Sequence, residues 1–371
     1  MGYTCRDAEL EGETVDSHKR SGAFLLVTLV LSVGCTSSIG PRTVPHDQFN
    51  YAEALREAWK EQMLLNMVGL RYAEAPMFLK VTSVINQYTY GGQVTAATPG
   101  YDQQSVVNPP LTIGGQYADR PTITYLPLSG PEFTRSVLTP IPPASIMSLV
   151  QAGWRIDLLL RLTVRAINGI SASETGVTRP DDERYYELMS LLVKVQEAGD
   201  LTFRVEHRDE GDASIIRIED HTPGGMSNSR RRIQELLGLA PGATEYALVF
   251  GHKPSNDREI AMLTRSILEM MAELAMWVDV PPEHVASGRT SPRPSTEAMQ
   301  KYDFKPLIAV HSSVDRPSDP FVAVRYGGLW FWIDHDDFRS KKTLGFMQIM
   351  FSLAESSGGQ TAPVVTVQAG G

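Results

Sequence analysis

The chain has 371 residues, 42% hydrophobic and 21% charged, the composition of a globular protein with room for one large domain or two modest ones. Its formal net charge of -9 is spread along the chain, so the basic surplus that neutralises nucleic-acid phosphates is missing and no nucleic-acid partner is expected. The two cysteines, Cys5 and Cys35, form neither a zinc-type spacing nor a CxxC pair, and no cofactor is expected.

Met1 to Asp16 carries five acidic residues, which suits a secretory signal poorly and points to a translation start nearer Val15. From Lys19-Arg20 onward the pattern changes. Two cations precede an apolar run, Ala23 to Val33, which is too short for a membrane-spanning helix of about 20 residues but right for the core of a secretory signal. The run ends in Ser32-Val33-Gly34-Cys35, which resembles a bacterial lipobox, with Ser32 where leucine is usual. In such signals the cysteine sulfur receives a diacylglycerol and the chain is cut just before it. At about 0.8 kcal/mol per buried methylene, two acyl chains hold a protein at a bilayer. The alternatives are a signal cleaved near Gly34 without lipidation and an ordinary buried helix. Thr36, rather than aspartate, follows the cysteine and favours the outer membrane if the source is Gram-negative.

Residues 1–34 are thus read as a lipoprotein-type signal peptide and 35–47 as a tether. The rest is expected to be α+β, with helices and short antiparallel hairpins in two subdomains, 48–170 and 181–371. A helix is predicted from Asn50, with Glu53 completing a capping box and Leu55, Trp59, Met63, Met67 and Leu70 at helical spacing. Phe78 to Tyr90 reads as a strand broken by Gly91-Gly92, and Ala96 to Gly115 as a polar loop. Thr122 to Tyr125 reads as a strand, Pro131 to Leu138 as a short helix, and Leu138 to Pro143 as a rigid proline turn. Helices are expected over Ala144 to Gln151 and Asp157 to Ile167, the second stopped by Asn168-Gly169. The small polar residues of Ser171 to Pro180 mark the expected boundary.

Further on, Asp181 to Ala198 reads as a helix, and Leu201 to Val205 with Ile215 to Ile218 as a hairpin. Arg230-Arg231-Arg232 reads as the exposed start of a short helix, Tyr246 to Phe250 as a strand, and Asp257 to Trp277 as a long helix. The methionines of that stretch (Met262, Met270, Met271, Met276) read as core filler. Val285 to Tyr302 reads as a loop. Gly327-Gly328 between Phe321 to Tyr326 and Leu329 to Ile333 gives a two-residue hairpin. Asp336 or Asp337 can cap a following helix, Phe338 to Leu353, and Pro363 to Val367 supplies a last strand.

The densest group of potential ligands is Asp334-His335-Asp336-Asp337, where a strand gives way to a helix, with His311 on a strand that could pair nearby. A metal would need three or four such groups converging, so helix capping accounts for the acids more simply and no metal is expected. Trp330 and Trp332 share one face of their strand, with Phe331 on the other; such a pair can stack on sugars, although Trp in a strand feeding a helix also serves as core. No GxSxG, HExxH or P-loop motif is present, and no catalytic residue stands out. The ligand candidates are therefore Trp330, Trp332, Asp334, His335 and Asp336, and Cys35 is the lipid attachment residue.

Three stretches together, Leu65 to Pro76 (LNMVGLRYAEAP), Leu138 to Pro143 (LTPIPP) and Tyr326 to Lys342 with the later Phe351-Ser352-Leu353-Ala354-Glu355, resemble a widespread set of uncharacterised bacterial proteins with lipoprotein-type signals. The resemblance spans the chain from Asn50 onward and implies an envelope location, with no activity, cofactor or catalytic residue attached to it. The expected function is a membrane-anchored envelope binding or assembly module facing the periplasm, with envelope proteins or a second copy as partners. The alternatives are an envelope hydrolase acting on polysaccharide or peptidoglycan through Asp334 to Asp337, and a subunit of a larger envelope complex.

Overall fold

The computed structural model describes residues 44–85, 88–96, 101–102, 105–106, 111–119, 122–171, 182–208, 211–219 and 228–356. The expected signal, Cys35, most of the expected tether, residues 172–180 of the expected boundary and the strand expected over Pro363 to Val367 lie outside them. The fold is α+β. The chain divides into two units, Met1–Ala58 and Trp59–Gly371, and the division falls inside helix α1 (Val44–Arg71). The described part of the first unit is the opening of that helix. It begins six residues before Asn50, in residues assigned to the tether, because Pro45 sits in the first turn, where its missing N–H costs nothing.

Three two-stranded antiparallel ladders follow, nested in sequence: β1 (Leu79–Ile85) and β2 (Tyr88–Ala96) pair with β6 (Thr122–Pro127) and β5 (Leu111–Asp119), and β3 (Tyr101–Asp102) pairs with β4 (Ser105–Val106). Pairing runs from Leu79↔Pro127 to Ala96↔Leu111. Gly91-Gly92 does not break the strand as expected. Gly91 pairs with Gln116 and Gly92 with Gly115, since a ladder is made by backbone groups that glycine retains. Much of the expected 96–115 loop is likewise strand.

Helix α2 (Gly130–Phe133) passes into a π-helical turn, Thr134–Leu138, and the proline turn leads to α3 (Pro143–Gln151). The helix expected over 157–167 ends early. Helix α4 is Ile156–Thr163, and Val164–Ile167 is strand β7, joined to β8 (Ile170–Ser171). Asn168 and Gly169 have φ of 47° and 80°, so the left-handed pair turns a hairpin instead of stopping a helix. Helix α5 (Glu183–Glu197) is capped by Asp182, and β9 (Leu201–Arg208) and β10 (Gly211–Ile218) form the expected hairpin.

Helix α6 (Asn228–Leu237) carries the three arginines, but Arg230 is buried, donating to the carbonyls of Gly242 and Ala243. Strand β11 (Glu245–Phe250) forms where a strand was expected, whereas β12 (Glu259–Thr264) takes the first part of the stretch, Asp257 to Trp277, expected to hold one long helix. Helix α7 (Ile267–Ala275) starts only after Ser266, which forms a complete capping box with Glu269. Met262, Met270 and Met271 are core residues as expected. The expected 285–302 loop begins inside a short helix, α8 (Pro282–Ala286), and contains a second, α9 (Glu297–Lys301). Strands β13 (His311–Ser313), β14 (Pro320–Tyr326) and β15 (Leu329–Asp334) precede α10 (Phe338–Ser356).

The largest sheet has the order β8-β7-β12-β11-β10-β9 and is antiparallel except between β11 and β12. Those two are consecutive yet parallel, which usually demands a helical crossover. Here Glu259 pairs with Ala247, so the chain need only step back three residues from Phe250, and a short loop covers that distance. The sheet takes strands from both sides of residue 172. One buried cluster also contains Leu160 and Ile167 together with Ile216, Ile260 and Met270. The boundary expected at 171–180 therefore separates no cores.

Candidate functional site

A cleft of about 410 Å³ opens between α4, α5, the segment after α9 and the start of α10. Its walls carry five cations (Arg155, Arg161, Lys194, Lys305, Arg339) against three carboxylates (Asp157, Glu197, Asp303), with Tyr302 and Phe304 as aromatic surface. The sequence explains how they meet. Helix α4 reads IDLLLRLT, with every residue buried, so Asp157 and Arg161 are charges on an otherwise apolar element. Gln196 of α5 clamps the entry to α4 by accepting from the Ile156 N–H at 2.9 Å and donating to the Trp154 carbonyl at 2.7 Å. After α9, Asp303 takes φ of 57°, and the Phe304 N–H returns to the Met299 carbonyl at 3.0 Å, which turns Phe304 and Lys305 toward α4.

Asp157 and Arg161 are four residues apart, the spacing at which opposite charges on a helix usually pair. They do not. Asp157 accepts from Arg155 Nε at 2.9 Å. Arg161, only 9% exposed, sends Nη2 to the Lys305 carbonyl at 2.8 Å and to the Met299 sulfur at 3.6 Å, and lies over the Phe304 ring at 5.0 Å. No carboxylate bonds to it among the described residues. Burial pushes its pKa down, opposed chiefly by Tyr186, Tyr185 and Asp157. A guanidinium stays charged through such a shift. Arg339 donates to the Pro306 carbonyl at 2.9 Å and also lacks an acidic partner among the described residues. The cleft therefore presents uncompensated positive charge beside an aromatic wall, an arrangement that suits a carboxylate or phosphate group.

The ligand candidates read from the sequence sit elsewhere, and none of them lines this cleft. Strand β15 puts Phe331 in the core with no exposure and leaves Trp330 and Trp332 partly exposed on the opposite face. Arg316 lies 5.2 Å over Trp330. His311 pairs across from Trp332, as its position on a neighbouring strand suggested. Its Nε2 is 3.1 Å from Asp334 Oδ2 and its Nδ1 is 3.6 Å from Asp279 Oδ2. Asp334 Oδ1 accepts from Trp332 Nε1 at 2.8 Å. Both ring nitrogens thus face carboxylates, and among the described residues no hydroxyl is hydrogen-bonded to either. Asp337 caps α10 by accepting from the Ser340 N–H at 3.1 Å, while His335 and Asp336 are exposed. Among the described residues no group of three or more His, Cys, Asp or Glu could hold a metal.

A third polar group joins two of the stretches quoted above. Tyr326 donates to Glu74 at 2.6 Å and stacks on Tyr72 at 5.3 Å. Arg289 lies 2.9 Å from His284 Nε2, and Tyr72 Oη lies 2.8 Å from Nδ1. A guanidinium can only donate, so Nε2 accepts and the Nδ1 proton goes to Tyr72. Burial, then Glu74, pushes the Tyr326 phenol up to about 12. Each member is engaged by another, which makes this group a strut between the turn after α1 and the 326–328 hairpin.

Sequence reading missed the cleft because its cations are scattered from position 155 to 339. The available signal was local: a charge pair inside an apolar helix costs free energy unless something uses it. No protein family, curated protein or solved structure matches the chain.

Proposed function

We propose that the protein is a bacterial envelope lipoprotein, held at the membrane by an acylated Cys35, whose globular part binds a small anionic ligand in the cleft around Arg161. The outer membrane is the favoured location if the source is Gram-negative. The observation that carries the binding reading is the burial of Arg161 without a carboxylate among the described residues. A buried charge is costly unless paired, and an incoming anion would supply the pair. Arg339, Lys305 and Lys194 would add attraction at the rim, and Phe304 offers a flat apolar surface to the rest of the ligand. The tether reading is supported by Lys19-Arg20, the short apolar run and Ser32-Val33-Gly34-Cys35.

Calorimetric titration of the full chain with inorganic phosphate and, separately, with succinate tests the cleft. Binding of one of them is expected, weakened at least about tenfold by added salt and abolished in Arg161→Met. Equal binding by the Arg161→Met variant, or none by the wild type, contradicts the reading. Labelling with a fatty-acid analogue tests the tether: Cys35→Ala is expected to remove the label, and equal labelling rejects acylation at that sulfur.

A further inference from the structure

We infer that the ribbon formed by β1 and β6 is a self-association arm, and that the outer edge of β6 pairs with β6 of a second copy of this chain. At about 3.4 Å per residue the ladder of β1 with β6, Leu79–Ile85, is roughly 24 Å long. Two strands alone are only marginally stable in water, and among the described residues no third strand pairs with the outer edge of β6. Every residue of β6 is exposed, including Ile123 at 36%, Tyr125 at 51% and Leu126 at 52%. Strand β1 is less open, with Lys80, Val81, Ser83 and Val84 partly buried. The edge of β6 is therefore the one available for pairing.

Charge argues for a second copy as the occupant. Between Leu79 and Pro127 the only charged residues are Lys80, Asp102, Asp119 and Arg120, which sum to zero, whereas the whole chain carries -9. Two copies repel each other through most of their surface and least through this stretch. A two-fold interface places each group against its own kind, so an uncharged strand is self-complementary where a charged one is not. Natural edges are usually protected by charge or proline, and β6 carries no charge and only a terminal proline, Pro127. With the two-fold axis at Thr124, Ile123 of one copy faces Tyr125 of the other and the two Thr124 residues face each other. Aromatic with β-branched and Thr with Thr are favourable cross-strand pairs.

Sedimentation equilibrium of the full chain, reduced and in density-matched detergent, tests the pairing with two doubly substituted variants. Wild type is expected to pass from monomer to dimer as concentration rises. Ile123→Lys with Tyr125→Lys, and Ile123→Glu with Tyr125→Glu, are each expected to associate at least about tenfold more weakly. An equal mixture of the two variants should recover a dimer, because each lysine then faces a glutamate. Recovery also shows that both variants are folded. A wild type that stays monomeric, variants that dimerise like wild type, or a mixture that stays monomeric would each overturn the inference.

Discussion

Two buried arginines a few ångströms of backbone apart have opposite surroundings. Arg265, 4% exposed, sends Nη1 to the carbonyls of Arg161, Leu162 and Val164 at 3.1, 3.3 and 2.8 Å, and its Nη2 lies 3.5 Å from Glu273. It gathers the end of α4 and the start of β7 onto the turn before α7, and its charge is answered inside the protein. Arg161 is buried nearly as well, yet one carbonyl, one sulfur and one ring are its partners, and a cleft adjoins it. A structural arginine saturates its donors and finds a carboxylate. One that does neither, next to open space lined by further cations, is arranged for something that arrives from outside.

The contrast can be broken most forcefully at Arg265. Arg265→Met removes the guanidinium beside Glu273 and the donor of three carbonyls, and should cost about 3–5 kcal/mol in urea unfolding. The next largest effect sharpens the other side. Ser190 lines the cleft, and Ser190→Asp supplies the acid that Arg161 lacks. Anion binding should fall about tenfold while the melting temperature holds or rises. Arg161→Met should lower stability by only about 1 kcal/mol, the worth of one carbonyl hydrogen bond, because an unpaired charge leaves with it. If Arg161→Met proves as damaging as Arg265→Met, the two sites are alike and the contrast fails.

The smallest effect concerns the strut. Tyr326 is raised to about 12, first by burial and then by Glu74, from an ordinary phenol value near 10. The folded state therefore keeps a proton that the unfolded chain loses. The resulting stability is complete below pH ~10 and disappears as pH rises toward ~12. Urea midpoints measured across that range should fall more steeply for wild type than for Tyr326→Phe, while the cleft's affinity at neutral pH is the same in both.

What the sequence made legible was local chemistry. Gly327 and Gly328 take φ of 56° and 88° in the hairpin, Asp337 caps α10, and Asp182 caps α5, each within a few residues of the signal that announced it. The errors fall where one pattern admits two structures. Ile260, Met262 and Leu263 fit an apolar helix stripe as well as a buried strand, and only pairing with β11 and β7 decides between them. Val164 and Ile167 continue the apolar pattern of the preceding helix equally well, and only their pairing with β12 makes them a strand. Asn168-Gly169 announced left-handed backbone correctly, but a helix stop and a hairpin turn share that requirement. The cleft was illegible because Arg155, Lys194, Lys305 and Arg339 acquire meaning only once α4, α5 and α10 are packed together.

The most direct test observes the Arg161 guanidinium itself. In a nitrogen-15 spectrum of the full chain, the Nε–H signals of Arg161 and Arg265 are assigned by their loss in the two methionine variants. Added phosphate or succinate should shift the Arg161 signal and slow its exchange with water, at the concentration where calorimetry reports saturation, and leave Arg265 in place. An Arg161 signal that stays fixed at saturating anion, or one that moves only together with Arg265, would contradict the account.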